Sequence, residues 1–308
     1  MRVFAGWRRL REDIQPTALT LGNFDGVHRG HQQLIQRVSV LAAQRNLRST
    51  VVTFEPLPRE YFGPRQAPPR LYSLAQKLQA LRDVGAEQVV VLPFDARLAA
   101  TDADSFVQRL ICADLKARAL VIGDDWRFGK GRRGDFALLS RYAETGAFAL
   151  ERAPTFSLEG DRVSSTRIRS VLAQGDALLA HRLLGRPYAV RGRVVRGAQL
   201  GTQLGTPTAN VVTRFEVPLR WGVYCAWLNG TPAIANFGCR PTVDGAAPLL
   251  EVHLLRDGRD LYNSRVEVTF GAYLRAEQSF SGLDALKAQI HQDVEQARHW
   301  HQTHSAES

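Results

Sequence analysis

The chain has 308 residues, room for two domains of about 150 residues that each bury a core. Its 44% hydrophobic and 23% charged residues, with no apolar run long enough to cross a bilayer, exclude disorder, collagen-like repeats and a membrane span. Lys and Arg number 40 against 30 Asp and Glu, so the net charge of +10 favours polyanions: nucleic acid, nucleotides or phosphorylated metabolites. The arginines are spread along the chain, so charge alone does not separate these from a basic, unspecialised surface.

Met1–Pro16 mixes charged and single apolar residues and lacks the apolar stretch of a secretion signal. Thr17–Leu21 is a short apolar strand, followed by the glycine-punctuated turn Gly22-Asn23-Phe24-Asp25-Gly26. A helix follows from about His31 to Asn46, with Leu34, Val38 and Leu41 on one stripe, and Ser49–Phe54 is a β-branched strand. The alternation repeats: helix Leu74–Val84, strand Gln88–Pro93, helix Ala103–Leu115, strand Ala119–Gly123, helix Phe136–Thr145, strand Ala147–Arg152. Such alternation predicts a doubly wound parallel sheet, with ligands beyond the carboxyl ends of its strands. Ser164–Gln174 and Asp176–Leu184 read as two more helices, and Gly185-Arg186-Pro187 marks a boundary.

Past that boundary, Tyr188–Val195, Val223–Leu228, Ala233–Asn236, Leu249–Leu255 and Arg265–Tyr273 are strand-like and separated by turn residues. They predict an antiparallel β-barrel or sandwich. A terminal helix over Leu283–Trp300 carries the apolar stripe Leu283, Leu286, Ile290, Val294. The three cysteines, Cys112, Cys225 and Cys239, are odd in number and widely spaced, which fits a cytosolic protein better than a disulfide framework or a zinc site.

Gly22-Asn23-Phe24-Asp25-Gly26-Val27-His28-Arg29-Gly30-His31 is the strongest local signal. It follows a strand and opens a helix, where free N–H groups and the helix dipole favour phosphate. His28 and His31 can stabilise charge developing on a leaving pyrophosphate. In Val163-Ser164-Ser165-Thr166-Arg167-Ile168-Arg169, hydroxyls at a helix start precede two arginines, a capping pattern that also suits phosphate oxygens. Gly129-Lys130-Gly131-Arg132-Arg133-Gly134 satisfies G-x-G-x-x-G, but it lies too far past its strand for a dinucleotide fingerprint and reads as a mobile basic loop. In the second half, Gly197–Gly205, including Gly201, is glycine-rich and runs into Pro207-Thr208-Ala209-Asn210, where Thr208 and Asn210 offer oxygen ligands for Mg²⁺. β-turn glycines account for the same spacing. Glu251 shares a strand face with His253 and is placed to accept a hydroxyl proton, although an exposed strand glutamate reads the same way. His291, His299, His301 and His304 match no metal template and read as solvated.

Taken in order along nearly the whole chain, these segments resemble the bacterial bifunctional riboflavin kinase/FAD synthetase family. Gly22–His31 is similar to that family's H-x-G-H nucleotidyltransferase signature. Thr53-Phe54-Glu55-Pro56, the segment Gly123–Gly129 with Asp125, and Ser164–Arg169 resemble its other adenylyltransferase motifs. Pro207-Thr208-Ala209-Asn210 resembles its kinase signature, supported by Gly222-Val223-Tyr224, Arg240-Pro241-Thr242 and Glu251-Val252-His253. The resemblance implies an FMN adenylyltransferase domain over residues 1–184 and a riboflavin kinase domain over 185–308, turning riboflavin and ATP into FMN and then FMN and ATP into FAD.

It implies His28, His31 and Glu251 as catalytic groups. Gly22, Phe24, Asp25, Gly26, Asp125, Ser164, Ser165, Thr166 and Arg169 would hold the first nucleotide. Gly201, Thr208, Asn210 and Arg275 would hold nucleotide or flavin in the kinase, with Mg²⁺ on Thr208 and Asn210. Rival readings are a nucleotidyltransferase for another metabolite and an RNA-binding protein; the second is lowered by the lack of aromatic–basic RNA motifs, so no nucleic-acid partner is expected.

Overall fold

The computed structural model describes residues 1–6, 14–123, 125–196, 207–213, 215–242, 245–256 and 261–304, without side chains over 239–248. The strands are β1 (Arg2–Ala5), β2 (Thr17–Leu21), β3 (Arg48–Glu55), β4 (Gln88–Pro93), β5 (Ala117–Gly123), β6 (Ala149–Ala153), β7 (Ser157–Leu158), β8 (Asp161–Arg162), β9 (Ala189–Val195), β10 (Thr208–Val212), β11 (Gly222–Leu228), β12 (Thr231–Thr242), β13 (Gly245–Leu254) and β14 (Arg265–Arg275). The helices are α1 (Arg29–Arg45), α2 (Pro58–Phe62), α3 (Leu74–Asp83), α4 (Ala96–Ala100), α5 (Ala103–Ser105, continued by a π-helical stretch Phe106–Asp114), α6 (Phe136–Glu144), α7 (Ser165–Ala173), α8 (Ala177–Leu184) and α9 (Leu283–Thr303).

Two compact units divide the chain: Met1–Pro68 with Tyr72–Ser165, and Pro69–Leu71 with Thr166–Ser308. By contacts, therefore, α8 and all of α7 after Ser165 group with the second unit, upstream of the Gly185 boundary read from composition.

In the first unit six parallel strands run in the order β1-β4-β3-β2-β5-β6. Chain order reverses between β2 and β5, which makes the loops after these two strands a topological switch point. Alternation along β2 feeds both faces of the sheet. Ala18 joins Ala119, Val121 and Ala153 beneath Val38, Leu41 and Ala42 of α1. Leu19 and Leu21 join Val52, Leu120 and Ile122 on the opposite face, under Phe106, Leu110 and Leu139. The small alanines on the first face let α1 lie close to the sheet, and its end is fixed by Asn46 in the left-handed conformation (φ 52°).

The second unit contains a closed antiparallel barrel, β10-β13-β12-β11-β14-β9. Its interior holds Tyr188, Tyr224 and Phe270, with Val252 and Leu250 from β13. The β11 residues are buried on both faces because α9 lies against the outer one, packing Val294 and Ala297 on Val223, Cys225 and Ile234. Only the second half of the expected α9 stripe docks; Leu283, at its start, is 64% exposed.

Candidate active sites

At the switch point, β2 ends in a loop whose backbone enters the left-handed region at three positions. Phe24, Gly26 and Val27 all have positive φ (47°, 80° and 41°), and for the β-branched Val27 this conformation is costly. The surroundings hold it. Thr53 of β3 donates to the Asn23 carbonyl (3.1 Å), and the buried Lys77 of α3 donates in turn to Thr53 Oγ1 (3.3 Å). The Tyr72 N–H donates to Asp25 Oδ1 (3.1 Å), Ser165 Oγ donates to the Asp25 carbonyl (2.9 Å), and Gln32 Nε2 donates to the Val27 carbonyl (2.9 Å). Asp25 and Phe24 are thus buried supports of the loop, and Gly22 gives the Phe24 ring space, since an added Cβ would lie 3.2 Å from it.

The loop delivers both histidines to the amino end of α1. His28 is the N-cap: its Nδ1 accepts from the His31 N–H at 3.3 Å, so in the neutral ring the proton sits on Nε2. The two imidazoles stack at 3.6 Å between centroids, and Phe24 lies 5.0 Å from His31. Two imidazoles at the amino end of a helix, where the dipole favours anions, are suited to phosphate oxygens.

Other expected residues of this site divide between the two units. After β5, Asp125 pairs with Arg162 at 2.8 Å, and that hydrogen bond holds its carboxyl below the ordinary carboxylate range. Ser164 and Ser165 belong to the first unit, Thr166 and Arg169 to the second, where Arg169 Nε donates to the Pro69 carbonyl (2.6 Å). The stretch expected as a mobile basic loop is a closed turn. Phe128 and Gly134 bridge, Lys130 N–H donates to the Thr101 carbonyl (2.7 Å), and Trp126 stacks on Phe128 at 4.6 Å. Sequence reading passed over Lys77 and α2, whose Phe62 is 70% exposed and clusters with Tyr61 and Phe94 at the carboxyl end of β3 and β4. A proline-started helix of five residues gives too little periodicity to be seen.

On the barrel, register assembles the second set. Asn210 of β10 opposes Glu251 of β13, which opposes Asn236 of β12; Asn236 opposes Val223 of β11, which opposes Arg275 of β14. Directly opposed residues share a face, and Val223 is covered by α9, so the row lies on the outside of the barrel. One step along it, Thr208 opposes His253, whose ring Nδ1 is 2.9 Å from the Pro207 carbonyl and so fastens the Pro207–Asn210 segment to β13.

Thr208 and Asn210, two residues apart, point the same way and flank Glu251. Arg275 keeps a place in the row, but its guanidinium is engaged by α9: Nε and Nη2 donate to Asp293 (2.8 and 2.6 Å) and Nη1 to the Ala276 carbonyl (2.9 Å). Gly201, like Gly197–Thr206 around it, lies outside the described residues. His301, read as solvated, instead packs edge-on to Trp227 and sits 3.0 Å from the Ala233 carbonyl; burial pushes its pKa down.

Comparison with known proteins gives matches along both units. A family model described as FAD synthetase matches residues 10–167, and one described as riboflavin kinase matches residues 184–301. The chain is 43% identical over 304 residues to the "Bifunctional riboflavin kinase/FMN adenylyltransferase" of Escherichia coli (strain K12), covering 97% of each. It is 45% identical over 305 residues to the protein of the same name from Pseudomonas fluorescens, again covering 97% of each. Among solved structures, one titled a macrolide-efflux protein from Streptococcus pneumoniae superposes with a TM-score of 0.86 at 27% identity, covering 97% of this chain and 100% of that one. Among the described residues, no helix is long and apolar enough to cross a membrane.

Proposed function

The chain belongs to the bifunctional riboflavin kinase/FMN adenylyltransferase family, and we propose that its two activities divide between the constellation at the sheet switch point and the row on the barrel. It phosphorylates riboflavin with ATP to FMN and joins FMN to AMP from a second ATP, releasing pyrophosphate. What supports the division is that His28 and His31 lie in the first compact unit, whereas Thr208, Asn210 and Glu251 lie in the second. We assign adenylylation to residues 1–184 and phosphorylation to 185–308.

In adenylylation the nucleophile is the FMN phosphate, already anionic, so the site needs charge stabilisation more than a base. His28, presenting Nε2–H because its Nδ1 caps α1, and His31 beside it donate to the pyrophosphate as the α-phosphorus–oxygen bond breaks. The buried loop of Gly22, Phe24, Asp25 and Gly26 fixes them, and Asp125, Ser164 and Ser165 of the same unit complete the nucleotide's surroundings. The exposed Phe62 offers a face on which the flavin ring can stack.

In phosphorylation the nucleophile is a neutral ribityl hydroxyl. Glu251 accepts its proton as the oxygen bonds to the γ-phosphorus and ADP leaves. Thr208 and Asn210 supply a hydroxyl and an amide carbonyl on one face beside Glu251, a donor set that would hold Mg²⁺. That ion would neutralise phosphate charge. Gly201 completes the nucleotide-binding segment, and Arg275 anchors α9 at the end of the row. The free Cys225 and Cys112 suit a reducing, cytoplasmic setting.

Chromatography of flavins after incubation with riboflavin, ATP and Mg²⁺ tests the division. His31→Ala lowers FAD formation about 100-fold or more while FMN accumulates. Glu251→Gln lowers FMN formation by about the same factor and spares FAD formation from supplied FMN. Equal loss of both activities in either variant overturns the assignment.

A further inference from the structure

We propose that Asn236 is a substrate-binding and specificity-determining residue of the kinase, its Oδ1 accepting a hydrogen bond from a hydroxyl of the polyol chain next to the one that Glu251 deprotonates. The proposal rests on the reading of Glu251 as the base.

Asn236 and Glu251 are direct partners across β12 and β13, just as Asn210 and Glu251 are across β10 and β13. Glu251 is therefore flanked on one face by two amides, each about 5 Å away between α-carbons. The orientation of the Asn236 amide is determined by its neighbour. Nδ2 donates to Glu277 Oε1 at 3.3 Å, and because a carboxylate can only accept, the amide must present its NH₂ there and turn its carbonyl away. That carbonyl, Oδ1, is buried and has no hydrogen-bond partner among the described residues. An asparagine serving the barrel alone would have both ends satisfied, since a buried acceptor without a donor costs free energy. The Asn236–Glu277 contact is also accommodated by the strand. Gly238, on the same face of β12, leaves the volume that the Glu277 carboxylate fills, and an added Cβ there would overlap it.

Phosphoryl transfer explains which ligand belongs at Oδ1. Attacking and leaving oxygens lie roughly in line across the transferred phosphorus, so the alcohol and the nucleotide come from opposite sides. Thr208 and Asn210 mark the β10 side of Glu251 as the nucleotide's. The alcohol then extends over β12, where a polyol presents further hydroxyl donors at the level of Asn236. Seating it requires the side chains covering Oδ1 to move aside. An Asn carbonyl in that position favours a flavin bearing a polyol chain over one with a plain alkyl alcohol, because only the former brings the missing donor.

The full chain is assayed for FMN formation with riboflavin varied at saturating ATP and Mg²⁺. Asn236→Asp sets two carboxylates against each other and is expected to raise KM for riboflavin about tenfold, leaving KM for ATP and the Mg²⁺ requirement unchanged. Adding Glu277→Gln restores a donor for the new carboxylate and returns KM towards the parental value. Asn236→Leu raises KM equally, is not rescued by Glu277→Gln, and loses the preference for riboflavin over an analogue lacking a ribityl hydroxyl. An unchanged riboflavin KM in Asn236→Leu overturns the proposal, as does a raised Mg²⁺ requirement, which would put Oδ1 on the metal. Glu251→Gln is run alongside: if it stays active, the reading of Glu251 has failed; if it is inactive, the Asn236 result stands on its own.

Discussion

Asp293→Ala is expected to destabilise the barrel far more than removal of any other described ion pair in that unit. The Asp293 side chain is 5% exposed and Arg275, its bidentate partner, 18% exposed. Cutting Asp293 back to Ala leaves a guanidinium largely desolvated without its counter-charge and strips Gln289 Nε2 of its acceptor at 2.9 Å. Loss of one partner from a buried pair costs about 3–5 kcal/mol. Arg191 and Glu267, paired between β9 and β14, are 48% and 39% exposed, and Glu267→Ala should cost at most ~1 kcal/mol because water takes over most of the interaction.

Denaturant unfolding followed by tryptophan emission reads the difference, since Trp300 of α9 lies 5.2 Å from Trp227 of β11. The double change Arg275→Met with Asp293→Met should recover most of the loss, because apolar side chains avoid the desolvation penalty. Equal midpoints for Asp293→Ala and Glu267→Ala would refute the burial argument. The double variant also sorts the roles of Arg275: an unchanged KM for ATP and riboflavin confines it to anchoring α9, whereas a raised KM gives it a ligand as well.

Gly134→Ala places a Cβ 2.5 Å from the Phe128 ring, which is itself held by Trp126 and Phe106, and should cost about 1–3 kcal/mol in a thermal or denaturant melt. His301 has its pKa lowered by burial, with His304 adding repulsion. The unfolded chain therefore takes up its proton first as pH falls, so stability is full above the ordinary histidine value, about 6.5, and declines below it until the buried ring also protonates. His301→Phe should flatten that decline in melting temperature between pH 7.5 and 5.5, and an unchanged slope would count against it. Cys225, buried on β11 with its thiol pushed up to about 12, should resist a thiol reagent at pH 8 until the barrel unfolds, and labelling at the rate of a free thiol would show the α9 interface to be open.

The sheet, the barrel with its terminal helix, and the loop from Gly22 to His31 were legible in the sequence because each is written locally. Period-two and period-3.6 patterns mark β2 to β6 and their helices, and a glycine-histidine run after a strand marks the turn into α1. The elements missed have weak local signals. β1 is four residues long and its partner β4 is remote in sequence. β10 reads as the tail of a glycine-rich segment until register pairs it with β13. Asp293 sits among the polar residues of α9 and becomes informative only when that helix is known to lie on Arg275.

The two constellations also differ in what specifies them. His28 and His31 are three apart on one turn, so a single loop brings them together and a motif can announce them. Asn210, Glu251 and Asn236 come from three strands, and a slip of one residue in either pairing would send a member to the barrel interior among Leu250, Val252 and Phe237. The apolar residues of β10, β12 and β13 are what forbid that slip, because it would also drive them into water. The core therefore fixes the geometry of the proposed phosphotransfer row: Val211, Phe237 and Val252, on the inner face, hold the amides and the carboxylate in line. Substitution at these inner positions should lower kinase activity together with barrel stability, whereas changes at Asn236 should separate the two.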